Sequence, residues 1–309
     1  SCKQLQKGIQ QTWLLTSYSA ISRTRQLEVA SLAVEEELKA ADEAVIQSDE
    51  VGSLGEQQES EHPVLAPELA MRFRFTRGAA AGSFLHEVLE HCEFDKPETI
   101  TAQCHAYAEK YSVAESDIPA ITDWLVEALQ SPLSGGEEAL RLWDLPRRQQ
   151  LAEMEFFLPL NQVNVKQFNT LIQSWQPDLA GHYHLNQLNG MLKGYLDLIY
   201  LHRGQFFVAD YKSNFLGETP EDYQPEQLHQ VMLHHDYYLQ AVLYSVALHR
   251  YLKNRLKDYA YQRHIGGAQY LFLRGMSPHY PECGVFTVTP PESLILALDS
   301  LFEGVFEHE

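Results

Sequence analysis

Residues 194–214 read GYLDLIYLHRGQFFVADYKSN. Two apolar runs alternate at period two on either side of Arg203-Gly204. That is the pattern of a β-hairpin, with a glycine able to take the positive φ that a two-residue turn demands. Counting outward from that turn pairs His202 with Gln205 and, five steps further, Asp197 with Asp210. Directly opposed residues hold their Cβ atoms about 4.5–5.5 Å apart. Asp210 and Lys212 are two residues apart, so they share a face of the second strand. Two carboxylates and an amine therefore gather at one edge of an otherwise apolar hairpin. Like charges at that distance repel, and a divalent cation is the usual neutraliser. The plainer alternative is an Asp–Lys pair on a solvated face with an accidental second aspartate.

The chain around the hairpin has 309 residues, 45% of them hydrophobic, enough for one large domain or two small ones. No run of 18 apolar residues is present, so no membrane span is expected. The opening SCKQLQKGIQQTW lacks the apolar core of a secretory signal. It begins without methionine, as a fragment of a longer chain would. Cys2, Cys92, Cys104 and Cys283 are scattered without a CxxC pair. That spacing argues against a zinc knuckle or a four-cysteine iron–sulfur cluster and suits the reducing cytoplasm. The net charge of −19 weighs against strong, sequence-independent binding of nucleic acid. About half of the excess, however, lies between Glu28 and Glu61, which hold eleven acidic residues against the single Lys39. Basic residues group elsewhere, at Arg72, Arg74 and Arg77, at Arg141, Arg147 and Arg148, and from Arg250 to Lys257.

Composition divides the chain into an apolar opening segment (1–27), an acidic linker (28–67) and a packed domain (68–309). Within the domain, GAAAGSFLHEVLEHC reads as a helix with Leu85, Val88, Leu89 and Cys92 on one stripe and His86 at its margin. Residues 98–130 hold further amphipathic helices. From Leu151 the period changes, and AEMEFFLPL reads as a strand with Glu153 and Glu155 on one face. The central hairpin follows, then a helix over Gln224–Leu256 on which Gln240 and Tyr244 are i,i+4 neighbours. Strands over Gly267–Arg274 and Val285–Thr289 and a closing helix complete the order. The expectation is α/β, a mixed central sheet of about five strands flanked by helices, behind an N-terminal helical region and the acidic linker.

His86 in GSFLHEVLE, Glu153 in AEMEFFLPL, Asp197 in GYLDLIY, Asp210-Tyr211-Lys212 in VADYKSN and Gln240…Tyr244 in QAVLY occur in a telling order. The series resembles that of the RecB-type nucleases of the PD-(D/E)xK, restriction-endonuclease-like superfamily. WLLTSYSAI, QAVLYSVALHRYLKNRL and GGAQYLFLRGM add to the likeness, which covers roughly residues 10–25 and 70–305. A bare DxK would carry little weight; the five-part series in order carries much. The superfamily's name-giving proline is absent, and Leu196 precedes Asp197 instead.

The resemblance implies a metal-dependent deoxyribonuclease of the exodeoxyribonuclease V type. Asp197, Asp210, the Tyr211 carbonyl and His86 would hold Mg²⁺, with Mn²⁺ or Ca²⁺ able to substitute in binding. Asp210, Lys212 and Glu153 would be catalytic, and Gln240 and Tyr244 would support Lys212 or a DNA phosphate. It further implies single- and double-stranded DNA as substrate, RecC and RecD as partner subunits in a helicase–nuclease complex, and docking of RecA. No GxxxxGK[ST] occurs, so ATP hydrolysis is not expected of this stretch. A reading of a different class is an interaction module that recruits RecA and the partner subunits with little nuclease activity of its own.

Overall fold

A computed structural model describes residues 14–26, 70–134, 139–179, 182–183 and 188–304. The linker expected over 28–67 lies outside them. The opening segment forms strand β1 (Leu14–Thr16), helix α1 (Tyr18–Ser22) and strand β2 (Arg25–Gln26). After it come helices α2 (Met71–Arg74), α3 (Ala79–His91), α4 (Pro97–Ala108) and α5 (Ile118–Gln130). The helix expected around His86 is thus α3. It starts immediately after Gly78, whose φ of 98° closes the helix path on its N-terminal side.

Strand β3 (Gln150–Val163) leads to α6 (Val165–Trp175), whose first turn is capped by Asn164 accepting from the Gln167 amide. Then follow β4 (His182–Tyr183), β5 (Leu188–His202), β6 (Gln205–Lys212), α7 (Pro225–His234) and α8 (Tyr237–Arg255). Helix α9 (Tyr261–His264), β7 (Ile265–Phe272), β8 (Val285–Val288) and α10 (Glu292–Glu303) close the described chain.

The hairpin forms around the expected turn. Arg203 and Gly204 have φ of 50° and 83°, the doubly positive pair of a type I′ turn, and His202 faces Gln205. The ladder ends at Leu198↔Ala209. One expectation is corrected here: Asp197 and Asp210 are not a ladder pair, because the two strands diverge immediately before reaching them.

The reason lies in β5. Leu192, Leu196 and Ile199 pack into one core, while Leu198 and Tyr200 pack into the core on the opposite face. Strict alternation would keep Leu196 and Leu198 together, so the strand changes face at Leu196–Asp197. Across from this point on β3, Glu153 takes φ of 46°, a left-handed conformation unusual for glutamate inside a strand.

Six strands make the main sheet, in the order β1-β5-β6-β7-β8 with β3 on the other side of β5. β3 runs antiparallel along β5 from Gln150↔Tyr200 to Leu160↔Gly190 and on to Val163↔Leu188. The second edge of β5 is shared. β6 takes it from Leu198 to His202, and β1, running parallel, takes it from Gly190 to Leu192. Between them residues 193–197 have no strand on that edge among the described residues. The C-terminal ends of β1 and β6 both point into this gap.

One core lies between the sheet and α6, α8 and α10, and a second lies between the other face and α3, α4 and α5. The helix expected to run unbroken over 224–256 is two helices. They meet at His235–Asp236, where Asp236 has φ of 64°. The apolar opening segment, set apart from the packed domain by composition, contributes a strand to the main sheet and pairs β2 with β4.

Candidate active site

The gap on β5 opens into a cleft of about 450 Å³. It is lined by His86 from α3, Glu153 from β3, Asp197 from β5, Asp210, Tyr211 and Lys212 from β6, and Gln240 and Tyr244 from α8. Every side chain singled out from the sequence as a site residue therefore borders one cavity. They come from five elements, so only the folded chain unites them.

Where β5 and β6 diverge, side chains replace the ladder. Asp197 Oδ2 accepts the Tyr211 amide at 2.9 Å. His86 Nε2 lies 2.9 Å from the Tyr211 carbonyl oxygen, and its Nδ1 lies 3.4 Å from Asp197 Oδ2. Burial disfavours a charged ring at His86. The Asp197 carboxylate, by charge and by hydrogen bond, and Asp210 behind it outweigh that and raise the imidazole to about 9. Burial works against ionised Asp197 as well, but His86 and the Tyr211 amide hold its carboxyl below the ordinary range.

Asp210 behaves oppositely. It is only 4% exposed, and burial pushes its carboxyl up to about 6, with Lys212 opposing and Asp197 reinforcing the rise. Lys212 Nζ stands 2.9 Å from Asp210 Oδ2 as an ion pair, and that buried oxygen has no further hydrogen-bond partner. The ammonium rests 4.0 Å from the centre of the Tyr237 ring and 5.8 Å from that of Tyr270. Aromatic faces can hold a desolvated cation by about 2 kcal/mol. Neither tyrosine is foreseeable from the motifs, because nothing local says which ring will face Lys212.

Gln240 Nε2 donates to Tyr244 Oη at 3.0 Å across one turn of α8. Gln240 lines the same cleft, and its Oε1 is buried without a hydrogen-bond partner. Glu153 is exposed on the cleft wall. Its neighbour Glu155 is engaged by Lys193 at 2.8 Å and by Tyr195 Oη at 2.9 Å, and does not line the cleft. Glu90, which the motifs did not single out, lies against Glu153. Burial first, and the hydrogen bond shared with Glu153 second, raise Glu90 to about 7.

Among the described residues no group of three or more His, Cys, Asp or Glu side chains is drawn up as a ready-made metal site. The donors are bonded to one another instead: His86 bridges Asp197 and the Tyr211 carbonyl, and Asp210 leans to Lys212. The donor set nonetheless fits a hard divalent cation. Two carboxylates and a main-chain carbonyl converge, and one buried carboxylate oxygen lacks a further hydrogen-bond donor.

The chain belongs to the PD-(D/E)XK nuclease superfamily, whose family model matches residues 64–303. It is similar to RecB subunits of the RecBCD enzyme over nearly its whole length. Identity is 35% over 311 residues with that of Escherichia coli, covering 99% of this chain and 24% of the relative. With the Mycobacterium tuberculosis subunit it is 33% over 342 residues, covering 97% and 30%. With the Haemophilus influenzae subunit it is 36% over 227 residues, covering 73% and 18%. The chain thus spans a quarter or so of the length of these relatives. No helix among the described residues is long and apolar enough to cross a membrane.

Proposed function

We propose that this chain is a Mg²⁺-dependent deoxyribonuclease domain that hydrolyses phosphodiester bonds of single-stranded DNA. The observation that carries the reading is the convergence on one cleft of His86, Asp197, Asp210, the Tyr211 carbonyl and Lys212. Asp197, Asp210 and the Tyr211 carbonyl would hold the cation, with His86 as the fourth donor. When bound it would neutralise a non-bridging phosphate oxygen and acidify a nearby water.

The remaining roles fall to the chain's own groups. Lys212 presents its ammonium at the cleft, held by Asp210 and the Tyr237 ring, where it orients the attacking water and stabilises charge developing on the phosphate. Glu153 orients water from the opposite wall. The Gln240–Tyr244 pair braces the floor, and burial keeps the Tyr244 phenol protonated and able to donate to a phosphate oxygen.

Similarity to RecB supports a place in a RecBCD-like assembly with RecC and RecD; there the domain would act in the cytoplasm on strands released by the helicase and would dock RecA. The test is cleavage of circular single-stranded DNA with Mg²⁺ and with EDTA. Lys212→Ala and Asp210→Ala should each abolish the Mg²⁺-dependent activity while leaving the circular dichroism spectrum unchanged. Cleavage retained by either variant refutes the assignment, and an intact wild-type fold that never cuts favours an interaction module.

A further inference from the structure

The cleft has a second wall that the motif series does not account for. Leu15, Thr16, Ser17, Tyr18, Ser19 and Ala20 line the same cavity as Asp210 and Lys212. The topology explains how. β1 runs parallel to β5 and β6 runs antiparallel to it, on one shared edge, so the chain leaving Thr16 meets the chain leaving Asp210 head on across residues 193–197. Thr16, Ser17 and Ser19 thereby bring three hydroxyl side chains to the side of the cleft that faces β6.

A three-residue strand cannot hold such a wall by itself. The rest of the hold comes from the break between α7 and α8. Tyr18 Oη donates to the His235 carbonyl at 2.7 Å, and an Arg25 guanidinium nitrogen donates to the Leu233 carbonyl at 3.1 Å. Asp236 receives three more contacts. Its Oδ2 accepts from Ser22 Oγ at 2.7 Å, and its Oδ1 accepts from Tyr183 Oη at 2.8 Å and pairs with Arg25 at 2.6 Å. The Asp236 and Arg25 side chains are 1% and 5% exposed, so the pair is shielded from water. Asp236 also sits immediately before Tyr237, which starts the helix carrying Gln240 and Tyr244. One residue thus fixes the opening segment relative to the opposite side of the site.

We propose that residues 14–26 are a working wall of the cleft, and that Asp236 is the positioning residue that clamps them there, so that Thr16, Ser17 and Ser19 hold the backbone of the substrate strand against Lys212. The ligand is a phosphodiester strand, recognised without regard to base by hydroxyls and main chain. The inference rests on the nuclease reading of the cleft. It predicts a split in kinetics: the wall binds ground state and transition state alike, so its loss raises KM and spares kcat.

The test uses the full chain and a short single-stranded oligonucleotide in Mg²⁺. Asp236→Asn keeps the size of the side chain and its tolerance of positive φ but removes the charge that holds Arg25. It should raise KM about tenfold with kcat within about twofold of wild type. Trypsin should then cut faster after Arg23 and Arg25. Arg25→Gln should raise KM alike, with trypsin then cutting faster after Arg23 alone, and Arg25→Lys should restore KM. Should the clamp variants fail to fold, Ser19 on the half-exposed wall provides an independent reading. Ser19→Asp should raise KM and Ser19→Lys should lower it. Cleavage by wild type with KM unmoved in the clamp and wall variants overturns this proposal and leaves the nuclease reading standing. A wild-type chain that does not cleave removes the nuclease reading, and the wall with it.

Discussion

Asp210 offers the sharpest test of how this site is held together. Its carboxyl is raised from 3.8 to about 6, chiefly by burial. A carboxyl whose folded value is raised makes its full contribution to stability below about pH 4, its ordinary range. That stability is lost progressively as pH climbs to about 6. A rise of roughly two units corresponds to about 3 kcal/mol at neutral pH. The attraction of Lys212 is already included, because it acts on the same carboxyl.

Asp210→Asn keeps the shape and removes the titration. Without divalent cations at pH 7.5 it should be more stable than wild type by up to about 3 kcal/mol, and it should not cleave DNA. Urea unfolding in EDTA measures the difference directly. At pH 5 the advantage should shrink to about half, because wild-type Asp210 is then mostly protonated in the fold. Adding Ca²⁺ should stabilise wild type and leave the variant where it was. A variant less stable than wild type at pH 7.5, or an advantage indifferent to pH, would show that the buried charge is compensated in a way the geometry does not contain.

Other outcomes follow from single features. Glu153→Gln should slow cleavage at least about tenfold, whereas Glu155→Gln, whose own side chain does not line the cleft and touches it only through Lys193 and Tyr195, should leave it within about twofold; equal effects on single-turnover rates would contradict the division. Gly204→Val should cost about 1–2 kcal/mol because φ of 83° suits glycine, and Arg203→Asn should gain a few tenths, since asparagine tolerates φ of 50° better; thermal melts decide both signs. Arg274, fully buried, donates to the carbonyls of Arg72, Phe75, Thr76 and Ser213. Arg274→Met should strand those acceptors and destabilise by about 4 kcal/mol or more, visible as a lowered urea midpoint.

How much of the fold and site is legible in the sequence depends on the range of the interaction. The hairpin turn and its register are local, and the pairing of His202 with Gln205 follows from Arg203-Gly204 alone. The divergence of the strands at Asp197 is not local. It depends on a face change at Leu196–Asp197 opposite a left-handed Glu153, and no alternation pattern announces either. The helix bearing His86 is legible from its apolar stripe, but not the 2.9 Å contact of its ring with the Tyr211 carbonyl. The break at Asp236 leaves no mark because neither His235 nor Asp236 is a strong helix breaker. Three residues of β1 carry no signature of a parallel partner some 175 residues away, so the second wall of the cleft could only be seen in the fold.

The sharing of one β5 edge by β1 and β6 has a consequence for biosynthesis. Residues near position 16 and residues near position 240 must both be in place before the cavity has its full lining. Contacts so distant along the chain form late, because closing large loops is entropically costly. A polypeptide that stops short of the helix carrying Gln240 and Tyr244 therefore carries the hairpin aspartates with one side of the cleft lining missing.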